Sequence, residues 1–211
     1  MTALRRHALV WLARAPRADH ESDRALVEDW QAQGRPFIVC RRRGAADDLS
    51  LGFCAPTRGA PHLRPRRVAA RGAAAQVLRA TPPPALAEIA SAAASAPQAD
   101  ALARLTGEAA DAGLAPRVFG SWMWQTLTGD AHVRDASDLD VLVEVSSAAQ
   151  ADAAAALLER LSPAVPFRID GELSIPGVGE VLWREYRWGG DELMLKSVDT
   201  VRLLPREALW A

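Results

Sequence analysis

An α+β fold is predicted for this chain of 211 residues, with a small basic α+β domain over residues 1–80 and a second domain over 81–211 built on a mixed sheet flanked by helices. Three observations carry that expectation. The first eighty residues hold short apolar runs separated by breakers and charge, Ala8–Leu12, Phe37–Cys40 and Leu49–Ala55, which read as strands rather than long helices. Thr81-Pro82-Pro83-Pro84 stops any helix and makes a stiff connector. Beyond it, alanine-rich stretches of helical propensity alternate with short branched apolar runs.

The elements follow in order. Gly34-Arg35-Pro36 and the segment Arg43 to Asp48 link the early strands. Between the first two, Ser22 to Gln31 is predicted as a helix, with Ser22 as N-cap and Leu26, Val27 and Trp30 on one face. Val68 to Ala80 favours helix through its alanines, with little amphipathic contrast. Ala85 to Ala112 is helical in propensity, broken near Pro97 and closed by Gly113 and Pro116. Arg117-Val118-Phe119 then reads as a strand delivering Gly120-Ser121 to a helix from Trp122 to Leu127, which Gly129-Asp130 ends. Ala131 to Ala136 is an irregular approach to a strand opening at Asp138, and Ala148 to Leu161 is a helix with Ala155, Leu158 and Leu161 at helical spacing. Phe167 to Glu172, Val181 to Tyr186 and Leu193 to Lys196 continue the sheet, with Gly189-Gly190 as a tight turn between the last two.

Composition narrows the function classes. An apolar fraction of 49% is ample for a packed core. The run Ala8 to Ala13 is too short for a signal-peptide core, and no segment approaches the roughly 20 apolar residues of a membrane span, so a cytoplasmic location and no membrane are expected. Cys40 and Cys54 lack metal-ligand or framework spacing and are expected as reduced, buried thiols. The net charge of −1 hides an asymmetry: residues 1–100 hold 15 arginines against nine acidic residues, and the remainder holds 10 basic against 17 acidic. A basic half beside an acidic half suits a polyanionic substrate, although an Arg-rich, alanine-rich composition also arises from coding bias alone. Near-neutral charge without a lysine-rich or aromatic-interleaved patch argues against nucleic acid.

The chemistry concentrates in Gly120-Ser121 and in Ser137-Asp138-Leu139-Asp140-Val141-Leu142-Val143. Side chains alternate along a strand, so Asp138 and Asp140 project together while Leu139, Val141, Val143 and Val145 enter a core. Two carboxylates on one face invite Mg²⁺, which prefers one or two carboxylates plus substrate phosphates. Asp170 on a neighbouring strand is the candidate third carboxylate, with Glu172 as the alternative. Gly120 permits close backbone approach, Ser121 adds a hydroxyl, and a helix N-terminus offers free N–H groups to phosphate. Trp122 and Trp124 read as core anchors, and His7 and His132 as scattered histidines without a defined role.

This order of strand, Gly-Ser turn, helix and Asp-x-Asp strand resembles the nucleotidyltransferase superfamily. Sixteen residues separate Ser121 from Asp138, more than is usual there, which implies an insertion before the strand. Within the superfamily, the chain is similar to the phosphoribosyl-dephospho-CoA transferases of malonate decarboxylase, the holo-acyl-carrier-protein synthases. The likeness rests on Arg6-His7-Ala8-Leu9-Val10-Trp11-Leu12, Arg41-Arg42-Arg43, the proline-rich connector, Ser137 to Asp140, Arg168-Ile169-Asp170-Gly171-Glu172 and Trp183-Arg184-Glu185. It spans nearly the whole chain, and its sharp motifs are Gly-Ser and Asp-x-Asp. The resemblance implies a nucleotidyltransferase-like catalytic domain over 81–211. It also implies transfer of the prosthetic group from triphosphoribosyl-dephospho-CoA to a serine of the apo acyl carrier protein subunit, releasing diphosphate. Asp138, Asp140 and Asp170 would be catalytic and bind Mg²⁺; Gly120 and Ser121 would hold the leaving phosphates. Arg41, Arg42, Arg43, Arg66 and Arg67 would grip the donor's phosphates or receive an acidic carrier, with Lys196 as a further phosphate contact. A generic Mg²⁺-dependent nucleotidyltransferase acting on a small molecule or protein side chain, and a binding module without activity, stay open as alternatives.

Overall fold

Residues 4–42, 48–56 and 65–210 are described by the structure, a computed structural model. It is an α+β protein in two compact units, one comprising residues 1–83, 127–132 and 198–200, the other 84–126, 133–197 and 201–211. Residues 127–132 and 198–200, placed with the second domain from sequence, pack with the first unit. Arg35 Nη1 reaches Asp130 Oδ2 at 2.6 Å, and Arg42 Nε reaches Asp199 Oδ1 at 2.9 Å.

The first unit contains β1 (Leu9–Leu12), β2 (Arg17–Ala18), α1 (Arg24–Ala32), β3 (Phe37–Val39), β4 (Asp48–Ala55), β5 (Arg66–Ala73) and β6 (Val77–Thr81). Its six strands form one sheet in the order β2-β5-β4-β3-β1-β6, antiparallel at every pairing. Of the face predicted for α1, Val27 and Trp30 are buried and Leu26 is half-buried, and Trp30 stacks on Phe53 at a centroid distance of 4.3 Å. Two expectations fail here. Ser22 does not cap α1, because a 3-10 turn, Glu21–Asp23, intervenes. The alanine-rich stretch 68–80 is mostly strand, with one 3-10 turn at Ala74–Gln76: β5 pairs with all eight residues of β4, burying Val68, Ala70 and Gly72, and β6 pairs with β1. Long-range pairing of that kind overrides the helix preference of alanine, which is only a weak prior. Cys40 and Cys54 are half-buried rather than buried, and neither forms a disulfide.

The second unit opens with a 3-10 segment, Leu86–Ala92. It continues through α2 (Ala96–Asp111), β7 (Arg117–Phe119), α3 (Gly120–Thr128), β8 (Leu139–Glu144), α4 (Ala148–Leu161), β9 (Ile169–Ile175), β10 (Gly179–Leu182), α5 (Trp183–Trp188), β11 (Glu192–Lys196) and β12 (Val201–Pro205). The sheet order is β12-β11-β10-β9-β8-β7, mixed because β8 and β9 run parallel while the other neighbours are antiparallel. Helix α4 is the crossover that a parallel pair requires. Its Ala151, Ala154, Ala155, Leu158 and Leu161 pack in one core with Leu139, Val141, Val143 and Val145 from β8 and Leu102 and Leu105 from α2. The expected strand over Val181–Tyr186 splits after Leu182: Trp183 and Tyr186, one helical turn apart, are both buried, and Gly189 closes α5 by donating to the Glu185 carbonyl at 2.7 Å. Among the described residues no helix is long and apolar enough to cross a membrane.

Candidate active site

The site forms where the middle strands of the second sheet place their carboxylates on one face. The core side of β8 is fully apolar, with Leu139, Val141, Val143 and Val145 each at most 1% exposed, so the opposite side must carry Asp140. The parallel register sets Asp140 opposite Asp170, and the antiparallel register sets it opposite Phe119. Side chains directly opposed on neighbouring strands share a face, so the Asp140 and Asp170 carboxylates stand side by side. Gly171 makes the approach of β8 and β9 possible: a Cβ there would meet Val141 Cγ2 at 2.5 Å and the Val141 carbonyl oxygen at 2.7 Å.

Gly120 follows Phe119 directly, which carries the chain over Asp140 as it turns into α3. Its φ of +72° is one that residues with a Cβ rarely adopt, and any such Cβ would collide with the Asp140 carboxylate. The first N–H groups of α3 have no intrahelical acceptor and carry the positive end of the helix dipole. Trp122 fixes this helix to the site. Its ring is fully buried, packs edge-on against Phe167 at 5.4 Å, and donates Nε1–H to the Asp138 carbonyl at 3.1 Å. Trp122 and Trp124 are thus core anchors, as predicted. Asp138 is also held from the other side, where Leu139 N–H donates to the Arg168 carbonyl at 2.9 Å. The approach at 134–137 is a closed turn: Ser137 N–H donates to the Arg134 carbonyl, and Arg134 N–H donates to Ser137 Oγ, each at 2.9 Å.

Arg168 ties the carboxylates together. Its Nε and Nη2 donate to Asp138 Oδ1 and Oδ2 at 3.0 and 2.7 Å, and Nη2 also donates to Asp170 Oδ2 at 3.1 Å. The hydrogen bond to Asp138, followed by the charge of Asp170, pushes the guanidinium's already high pKa further up, so it stays cationic throughout. The sequence named Arg168 only within a motif, without a role. The available signal was spacing, because Arg168 lies two residues before Asp170 and so shares its face in an extended chain.

The other predicted residues fall as follows. Ser121 lies in the first turn of α3, half-buried. Glu172 is 6% exposed and accepts from Lys196 Nζ at 3.3 Å. This pair occupies the acid two positions farther along β9, leaving Asp170 as the carboxylate in register with Asp140. Arg41, Arg42 and Arg66 belong to the first unit. Arg41 is exposed; Arg42 pairs with Asp199; Arg66 lies 2.5 Å from the buried carboxylate of Asp23. Arg67 is exposed on β5, opposite Cys54, and Arg43 lies outside the described residues. His7 holds a φ of +64° before β1, and His132 is buried in the first unit.

Among the described residues, no group of three or more His, Cys, Asp and Glu side chains is placed to hold a metal ion by itself. The donors at Asp138, Asp140 and Asp170 are all hard carboxylate oxygens, and Mg²⁺ is ordinarily held by one or two such groups with substrate phosphates completing its shell. The residues fit a cation shared with a phosphorylated ligand better than a resident structural ion.

Two family models match the chain: the phosphoribosyl-dephospho-CoA transferase MdcG N-terminal domain over residues 5–83, and the corresponding C-terminal domain over 85–207. Curated relatives carry the name phosphoribosyl-dephospho-CoA transferase. That of Xanthomonas campestris pv. campestris (strain 8004) is 38% identical over 213 residues, covering 97% of this chain and 96% of the relative. That of Bradyrhizobium diazoefficiens is 35% identical over 212 residues, covering 95% and 90%. A third, from Azotobacter vinelandii, is 32% identical over 213 residues, covering 94% and 91%. No solved structure matches the chain at a significant level.

Proposed function

Since the chain belongs to the phosphoribosyl-dephospho-CoA transferase family, and is therefore a transferase, we propose that it moves the phosphoribosyl-dephospho-CoA group from triphosphoribosyl-dephospho-CoA to a serine of the malonate decarboxylase acyl carrier protein, in the cytoplasm. The observation that carries this reading is the juxtaposition at Asp140, with Asp170 in register beside it and Gly120 pressed against its carboxylate. Phosphoryl-type transfer asks mostly for positioning and charge neutralisation, and these residues can provide both.

In the proposed reaction the serine Oγ forms a bond to the α-phosphorus of the donor. The bond from that phosphorus to the bridging oxygen of the departing diphosphate breaks. Asp170, beside Asp140, takes the serine proton and passes it to solvent. Asp138 and Asp140 would hold Mg²⁺, which supplies charge neutralisation for the phosphate oxygens when bound. The N–H groups at the start of α3 and the Ser121 hydroxyl orient the leaving phosphates. Arg41, Arg42 and Arg66 are proposed contacts for the donor's remaining phosphates or for an acidic carrier, and Lys196 for phosphate.

Intact mass measurement of the apo carrier, incubated with the enzyme, Mg²⁺ and the triphosphate donor, tests the proposal. The carrier should gain one prosthetic group, and a carrier with its acceptor serine replaced by alanine should gain none. No gain on the unaltered carrier, with nucleotide addition from ATP to another acceptor instead, would point to a generic nucleotidyltransferase.

A further inference from the structure

The arginine at the centre of the carboxylate cluster occupies oxygens that a cation at the same acids would need. Arg168 engages both oxygens of Asp138 and one of Asp170. A divalent cation drawn to Asp138 would meet a full positive charge already seated on the same oxygens. The guanidinium is held by these hydrogen bonds rather than by packing: its side chain is 55% exposed, against 37% for Asp138 and 33% for Asp170. Its backbone is not free to follow, because the Arg168 carbonyl is fixed by the Leu139 N–H at the entrance to β8. A swing of the side chain alone therefore lifts the guanidinium from both Asp138 oxygens while leaving the strand register intact.

Charge makes the purpose of such a swing readable. Asp138, Asp140 and Asp170 bring three negative charges together and Arg168 directly contacts two of them, while Arg117 and the Glu172–Lys196 pair lie farther along the same face. A cation arriving with a triphosphate brings more negative than positive charge, so a displaced guanidinium finds a new anion nearby. Planar guanidinium binds phosphate in the same bidentate manner as carboxylate. We propose that Arg168 is a displaceable counter-cation: it neutralises Asp138 and Asp170 until a divalent cation arrives with the phosphates of the donor, and then pairs with those phosphates. Its consequence is ordered loading, in which metal alone binds poorly and metal with donor binds well. The inference rests on the Mg²⁺ and triphosphate reading above.

The test reads metal binding without turnover. Mn²⁺ is titrated into the full-length protein and free Mn²⁺ is followed by electron paramagnetic resonance, for the wild type, Arg168→Gln and Arg168→Lys. Without donor, Arg168→Gln should bind Mn²⁺ about threefold to tenfold more tightly than the wild type, the scale expected for losing a competing, partly exposed ion pair. Arg168→Lys, which keeps the charge but not the fork, should fall between them. In steady-state assays, the KM for the donor should rise in Arg168→Gln with a smaller change in kcat. A residue that only supported the fold would weaken both binding events, and thermal melts identify that case. Equal or weaker Mn²⁺ binding by a folded Arg168→Gln protein overturns the inference while leaving the carboxylate site standing. Failure of the wild type and Arg168→Gln alike to bind Mn²⁺, with or without donor, overturns the metal reading and this inference together.

Discussion

Gly120 and the Asp140 carboxylate share one space: the glycine, at φ +72°, lies where any Cβ would strike Asp140 Oδ2. Glycine at 120 is thus required twice, by backbone conformation and by the acid beneath it. Gly120→Ala should lose about 1–3 kcal/mol of stability through the left-handed conformation. Displacement of the carboxylate should cost transfer activity roughly 100-fold, the scale of a misplacement near 1 Å. Chemical denaturation and carrier modification rates check the two parts separately.

Gly171 has a packing role without a φ requirement. Gly171→Ala would force its methyl group onto Val141 between the parallel strands β8 and β9. Overpacking of this kind costs about 1–3 kcal/mol. Denaturant midpoints should fall accordingly, and activity should fall with them because the Asp140–Asp170 pairing depends on the same strands.

Trp122→Phe preserves most of the buried ring and removes one donor. The Asp138 carbonyl loses its 3.1 Å partner. A stability loss of about 0.5–1.5 kcal/mol is expected from the hydrogen bond, increased by the cavity that the smaller ring leaves at a fully buried site, with a lower kcat and little change in carrier KM, read by denaturation and steady-state kinetics.

His132 gives the first unit a pH dependence. Burial, the largest influence, lowers its pKa from 6.5 to about 4; the charge of Asp130 works against the shift and that of Arg35 adds to it. The unfolded chain therefore binds a proton between those values that the folded chain refuses. This contribution to stability is complete above about pH 6.5 and is lost as pH falls toward 4. Carboxylates titrate in the same range, so the check is a difference: thermal melts of His132→Gln should fall less steeply from pH 6.5 to 4 than those of the wild type.

The strand β8 was legible because its two faces differ so sharply: period-two alternation assigned Asp140 outward and four aliphatic residues inward, as the structure has them, although the strand begins at Leu139 and leaves Asp138 just before it. Its parallel pairing with β9 was not, since register between strands separated by α4 is set by three-dimensional packing and by Gly171. The same limit explains residues 68–80. Their alanines carry helical propensity in isolation, and the pairing of β5 with β4 and of β6 with β1 makes most of them strand. The expected strand over Val181 to Tyr186 ends at Leu182 for a different reason, as the apolar and charged run from Trp183 fits either period until burial of Trp183 and Tyr186 decides. Within the site, the acids and Gly120 stood out by type and spacing. Arg168 did not, because an arginine beside an acid in sequence is usually a solvated pair.

Carrier modification by Asp140→Asn, followed by intact mass with Mg²⁺ and triphosphoribosyl-dephospho-CoA, bears most directly on the claim that this carboxylate face performs the transfer. Asparagine keeps the shape of Asp140 beside Gly120 and Asp170 and removes its charge. The account predicts a folded protein with an unaltered melting curve that leaves the carrier at its apo mass while the wild type converts it. Conversion by Asp140→Asn at the wild-type rate would contradict it.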